Sequence, residues 1–455
     1  MMTFFRTVVL PTVESGADWV DSASFSYDWN NAVKFLTDKM TALAHLTRVA
    51  VAMTSKNTPE NTQRALVCKS QSMALLRDRV ADHRITEFST YHAIYLLLLS
   101  EAYSRNLPAA LVHANLLSEL LQSGQVKENF QFVFRTFYYD YQRAAMSQSR
   151  LCFDIKYWVP TFFEPFWRNV TDHLPSCALT AIVSHDLDPS INDERMRSIF
   201  IAIRQAHLIL NTSVSEAAYT SDDKSRYCRS FWPWIMAQLH HRYLEAAEIL
   251  EQLPPPGGDA RSTHIRVQAF FSLAAHCYTR KLVNVDATSF GETEIFNANA
   301  GILVRLREVL DDYERSAAPA DMTRYERIYL WTLYVGAFAE QAKALKEGTH
   351  AEYGWFSSNL ARQARSMKLV FWHDLRIVLE RIHYSDGPRP HASEWFWKMM
   401  NAKPSGEGTI ASDVCTDKLR RGQQVTTFKD STGKLHVLGG HWSLKEQFCA
   451  VTELR

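Results

Sequence analysis

A chain of 455 residues with 46% hydrophobic and 22% charged side chains, and only 16 Gly and 15 Pro, has the makings of a large packed body. That composition excludes an intrinsically disordered or collagen-like chain. Fifty basic against forty-nine acidic residues leave a formal charge of +1 with no long run of either sign, so no obvious basic surface is there to give nucleic-acid binding its affinity through counterion release.

Residues 1–30 are predicted to be an irregular segment. Met1 to Pro11 carry a few apolar side chains but no sustained hydrophobic stretch ahead of Glu14 and Asp18, which makes a weak signal peptide. From residue 31 onward apolar side chains step by three and four, the spacing of one helix face. Leu36, Met40, Leu43, Thr47 and Ala50 define a first face, and Leu66, Met73, Leu76 and Val80 a second. The apolar run Ala93 to Leu99 is closed by Ser100 and Glu101, far short of the ~20 residues that span a bilayer.

Asn106-Leu107-Pro108 marks a break followed by proline in a first turn, and Gly124 marks a C-terminal stop. Residues 87–123 are therefore predicted to form an antiparallel helix pair. Further faces follow in order. They are Phe130, Phe134, Phe137 and Tyr141, then Met196, Ile199, Ile203, Ala206 and Leu210, then Leu239, Tyr243, Ala246, Leu250 and Leu253. The run Pro254-Pro255-Pro256-Gly257-Gly258 must end the last of these, because proline lacks the amide donor and clashes with the preceding turn. A loop rich in Asn, Asp, Thr and Gly is expected from about Val283 to Phe296. Ile302, Leu306, Val309 and Tyr313 then resume the rhythm. The longest stripe is Ile328, Trp331, Val335, Phe338, Ala342 and Leu345, and Trp372, Leu375, Leu379 and Ile382 close the series.

No self-similarity with the period of a regular solenoid is present. Beyond Lys403 the helical stripe stops, and residues 425–438 suit a small hairpin around Ser431 to Gly433. The expected fold is all-α: a large irregular multi-helix array of antiparallel helix pairs over residues 31–400, with a polar, non-helical tail over residues 401–455.

The seven scattered cysteines form an odd set without a CxxC pair, which suits a reducing compartment. Two glycosylation sequons, at Asn169 and Asn211, read as chance in that setting. Zinc-protease, phosphate-loop, nucleophile-elbow and dinucleotide fingerprints do not occur. The best acidic cluster is Asp311-Asp312-Tyr313-Glu314-Arg315, where two Asp and a carboxylate one turn on could hold magnesium and diphosphate, as in helical prenyl-diphosphate synthases and lyases. Arg315 stands where a third carboxylate belongs, and a solvated helix end is the better reading. His240 and His241 adjoin, but neighbours on a helix diverge by ~100°. His113 lies near the buried face of its helix and reads as a core or boundary histidine. With no catalytic or metal-binding motif, the chain reads as a regulatory or interaction module and not as an enzyme.

Several stretches in order carry a resemblance. Leu76-Arg77-Asp78-Arg79-Val80 precedes Leu98-Leu99-Ser100-Glu101-Ala102 through Asn106, then His113-Ala114-Asn115-Leu116-Leu117 and Leu121-Gln122-Ser123-Gly124. The helix from Phe134 to Ala144 carries Asp140 ahead of Pro160. Tyr329-Leu330-Trp331-Thr332-Leu333-Tyr334-Val335-Gly336-Ala337 and Phe371-Trp372-His373-Asp374-Leu375 come later, with Trp395 trailing. Over residues 31–400 this order resembles the fungal-specific transcription factor domain, the helical regulatory region of fungal zinc-cluster transcription factors. The family's six-cysteine zinc cluster is missing from the first thirty residues, so no direct nucleic-acid contact is expected.

The resemblance implies transcription regulation in the nucleus, with a possible share in the cytoplasm. It implies no cofactor in this chain, zinc entering only with an N-terminal cluster. Partners implied are a coregulator or a zinc-cluster transcription factor, in a homodimer or heterodimer, and a small-molecule effector, with no membrane. The effector-pocket candidates are Trp331, Trp372, His373 and Trp395, at aromatic junctions. The rival readings are a prenyl-diphosphate enzyme and a helical interaction scaffold unrelated to transcription.

Overall fold

A computed structural model describes residues 30–54, 59–174, 187–212, 219–252, 260–286, 298–347, 354–385, 392–401, 426–429 and 435–438. The chain divides into two units, Met1–Ala402 and Lys403–Arg455. In the first unit the described elements are helices: α1 (Lys39–Thr54), α2 (Pro59–Ala81), α3 (Phe88–Tyr103), α4 (Leu107–Gln122), α5 (Phe130–Ser147), α6 (Trp158–Thr171), α7 (Glu194–Asn211) and α8 (Ser221–Gln252). They continue with α9 (Ala260–Asp286), α10 (Ala298–Ser316), α11 (Pro319–Arg324), α12 (Glu326–Glu347), α13 (Trp355–Ser366), α14 (Trp372–Ile382) and α15 (Ala392–Asn401). In the second unit β1 (Thr426–Lys429) and β2 (Leu435–Leu438) pair antiparallel, with Thr427 opposite Val437. This is the hairpin expected around Ser431 to Gly433; the rest of the tail lies outside the described residues, as do residues 1–29.

Consecutive helices pack as pairs: α1 on α2, α3 on α4, α8 on α9 and α12 on α13, with α9 also against α12. The predicted 87–123 pair is α3 and α4. Pro108 sits in the first turn of α4, and Gly124, at φ +73°, supplies the left-handed residue just past its end. Every residue of α3 from Thr90 to Ala102 is buried. The helix is walled in on all sides, which is why Ala93 to Leu99 form a run and not a stripe. Among the described residues no helix is long and apolar enough to cross a membrane.

Three expectations need correction. Leu36 is not on α1: it lies in the turn after a helical stretch over 30–35, its amide bonds the Val33 carbonyl, its side chain is exposed, and α1 begins behind Asp38, whose carboxylate caps the Thr41 amide at 3.0 Å. On α2, Leu66 and Val80 face outward, while Ala65, Ser72 and Leu76 are buried. The small side chains bring α1 and α2 close enough for the Ser72 hydroxyl to donate to the Met40 carbonyl at 3.1 Å. Finally, α9 continues to Asp286, through the first residues of the predicted Val283–Phe296 loop, the rest of which lies outside the described residues. The helix before the proline run is described as far as Gln252, and the run itself lies outside the described residues.

Candidate functional site

The helix α12 runs between α9 on one side and α13 and α14 on the other. Trp331 is fully buried. Its ring meets those of Phe200 on α7 at 5.6 Å and of Phe271 and Tyr278 on α9 at 5.5 Å each, all edge to face, the favoured geometry of aromatic pairs. The indole N–H donates to the His383 carbonyl at 2.8 Å, so the tryptophan's one polar atom is satisfied.

Three residues along the helix, Tyr334 opens a second cluster. Its ring lies 6.0 Å from Trp395, 6.3 Å from Trp372 and 6.1 Å from Tyr384. Trp372 in turn meets Tyr384 at 5.7 Å and Phe396 at 5.9 Å. The segment His383-Tyr384, just past α14, joins the clusters into one seam: His383 sits 5.6 Å from Tyr278, and Tyr384 beside Trp372. Trp372 and Trp395 thus share the cluster on Tyr334, whereas Trp331 belongs to the first cluster. His373 belongs to neither. It lies on the exposed face of α14, about 100° around the helix from Trp372, while Leu375, Leu379 and Ile382 point inward.

The histidine in the seam is His383, ten positions later. It follows the last stripe residue, Ile382, so the helix pattern ends one residue too early to reveal it. Its ring is 5.3 Å from His207, and its Nε2 is buried without a hydrogen-bond partner. Burial drives the imidazole well below its ordinary pKa, and the neighbouring His207 and Arg204 push the same way, so it is neutral. The segment around it is held firmly. Arg204 donates to the carbonyls of Glu380, Arg381 and Ile382 at 3.0 to 3.1 Å, capping the end of α14. The Ser385 amide donates to the Tyr278 hydroxyl at 3.0 Å, and the Ser385 hydroxyl lies 3.2 Å from His207 Nε2.

The acidic cluster on α10 is arranged as ion pairs. Asp312 accepts from Arg266 Nε at 2.6 Å, Asp311 lies 3.8 Å from Arg307, and Glu314 pairs with Arg362 at 3.0 Å and with the Tyr329 hydroxyl. Leu310 before them and Tyr313 among them are buried, so the segment is a packed helix end. Among the described residues no group of three His, Cys, Asp or Glu is placed to hold a metal ion. His240 reaches the Ser149 carbonyl at 3.0 Å while His241 faces Glu245 at 3.3 Å, diverging as neighbours on a helix must. Cys68, Cys152, Cys228 and Cys277 are free thiols.

Two further polar groups, both within stretches quoted for the resemblance, take roles that the sequence did not assign. Arg79, within the first stretch of the family resemblance, reaches both Asp38 ahead of α1 and Ser89 at the start of α3. Asp140 on α5 is fully buried. One oxygen accepts from Arg143 Nη2 at 2.7 Å and the other from the Cys152 amide at 2.7 Å, which fixes the loop that leads to α6.

No family model, curated protein or solved structure matches this chain.

Proposed function

We propose that the chain is the effector- or partner-responsive helical domain of a transcription regulator, of the kind found in fungal zinc-cluster transcription factors, and that it acts without catalysis. What supports the reading is that Trp372 and Trp395, from two helices, pack on Tyr334 of α12, three residues along that helix from the buried Trp331. Two of those tryptophans lie in the very stretches that resemble the family, and the third is its trailing tryptophan.

Mechanistically, a small molecule or coregulator that engages the seam shifts the domain between two packings. It does so only to the extent that it binds one packing more tightly than the other. Pairing with a zinc-cluster transcription factor supplies DNA targeting, and the site of action is the nucleus, shared with the cytoplasm.

The test tethers the whole chain to a foreign DNA-binding domain upstream of a reporter. A regulatory domain changes reporter output severalfold relative to the DNA-binding domain alone. An unchanged output from a well-expressed, folded fusion contradicts the proposal and favours a helical scaffold.

A further inference from the structure

A second polar centre lies where α7, α9 and α12 begin. Asp193 caps α7 through the Met196 amide at 2.8 Å, and its other oxygen accepts from Arg242 Nη2 and from Gln268 Nε2, each at 2.9 Å. Arg242 also donates to Gln268 Oε1 at 3.3 Å. A carboxylate can only accept and a guanidinium can only donate, so these two neighbours fix which way the Gln268 amide points. Its NH2 group therefore faces His264 Nε2 at 2.8 Å, and that nitrogen must be an acceptor. The ring proton is consequently on Nδ1, 3.2 Å from the Tyr325 hydroxyl, which also faces the Asn192 amide nitrogen at 3.5 Å.

We propose that His264 is a proton-operated latch. Neutral, it joins the starts of α9 and α12 through Tyr325 and supports the start of α7 through Gln268; protonated, it gives up Gln268 and draws Asp193 away from the start of α7.

A proton on Nε2 sets N–H against the Gln268 NH2 group. Turning the amide over does not help, because its oxygen would then meet Asp193 and its nitrogen Arg242. The strain is relieved only if Gln268 withdraws and Asp193 swings to the imidazolium, leaving Arg242 and the N-terminus of α7. The charged groups facing His264 are Asp193 from the start of α7, Arg242 with its partner Glu245 from α8, and Arg324 from the end of α11. Asp193 favours the proton, while partial burial and the two arginines oppose it more strongly, so the imidazole titrates below its ordinary value.

The latch lies about two helical turns from the Trp331 cage on each of the three helices. Phe200 follows Asp193 by seven residues, Phe271 follows His264 by seven, and Trp331 follows Tyr325 by six, a rise of ~10 Å along each axis. Opening the latch therefore loosens the packing around Trp331. This inference stands apart from the regulatory reading and can fail without it.

The test uses the full chain labelled with 15N-histidine and 5-fluorotryptophan, with the Trp331 signal assigned from Trp331→Phe. Above pH 7 His264 should show a protonated Nδ1. Its titration midpoint should lie below the ordinary histidine value, and the Trp331 fluorine signal should move with that midpoint. In Gln268→Glu the new carboxylate accepts from the imidazolium, so the midpoint should rise by about a unit or more. In His264→Gln the Trp331 signal should not titrate with the latch. A protonated Nε2 in the unaltered protein, a Trp331 signal that stays still while His264 titrates, or an unchanged Trp331 titration in His264→Gln overturns the proposal.

Discussion

The carboxylate of Glu340, near the end of α12, accepts the backbone amide of Phe356 at 3.0 Å in the first turn of α13. A second oxygen takes the Ser357 amide at 3.1 Å, so a side chain from one helix caps the start of the next. Gly336 and Gly354 make the approach feasible. A Cβ on Gly336 would overlap the Phe356 ring, and one on Gly354 would overlap the Glu340 carboxylate. Glu340→Ala should lose about 1–2 kcal/mol, the usual value of a helix cap, read from the denaturant midpoint.

Gly336→Ala sets two effects against each other. Alanine gains ~1 kcal/mol of helix propensity over glycine, whereas overpacking a tight contact costs about 1–3 kcal/mol. The overlap with Phe356 involves a ring held between two helices, so destabilisation should win. Combining Gly336→Ala with Phe356→Leu should recover much of the loss, giving a coupling that a double-mutant cycle measures directly.

Breaking the pair of Asp140 and Arg143 should be among the costliest single changes. Both are buried, and Arg143 also donates to the Ser149 hydroxyl at 2.7 Å and the Arg150 carbonyl at 2.9 Å. Asp140→Ala strands a buried guanidinium and two loop amides, and should cost about 3–5 kcal/mol in chemical denaturation.

The two aspartates of the acidic cluster should behave differently. Asp311 is partly exposed and 3.8 Å from Arg307, so Asp311→Ala should change stability by less than about 0.5 kcal/mol. Asp312→Ala leaves the buried Arg266 without its 2.6 Å partner and should cost about 2–3 kcal/mol. A magnesium-diphosphate site makes the opposite demand: a metal-dependent activity on a prenyl diphosphate, abolished by Asp311→Ala, would restore the enzyme reading.

Burial on α4, reinforced by Lys69, pushes His113 down to about 4. Because the unfolded chain takes up that proton first, the stability His113 provides is complete above pH ~6.5 and is lost as the pH falls toward its folded value. The loss amounts to roughly 3 kcal/mol. His113→Gln should therefore compare more favourably with the unaltered protein at pH 4.5 than at pH 7, as read from urea midpoints at both.

The helices were legible because most of them bury one face. The Met196 to Ala206 and Ile328 to Phe338 stripes are buried as their spacing demands. The face of α2 was not, because Ala65 and Ser72 seat it by their smallness, which a search for large apolar side chains passes over. Some turns were hidden too: His83, Arg105, Gln148 and Lys368 adopt left-handed φ without being glycine. The three seam tryptophans were legible because they fall in the stretches that carry the resemblance or trail them, at aromatic junctions. His383, His207 and Tyr278 were not, since they meet only through contacts between helices far apart in sequence, and no local spacing encodes such a meeting.

Trp372 offers the most direct test of whether the seam is the working part of the molecule, since it is only half-buried and its removal should disturb the fold less than removal of the fully buried Trp331. In the tethered reporter, Trp372→Ala should abolish most of the chain's effect on output while the fusion remains as abundant and as cooperatively folded as before. Full reporter activity from that variant would contradict the account.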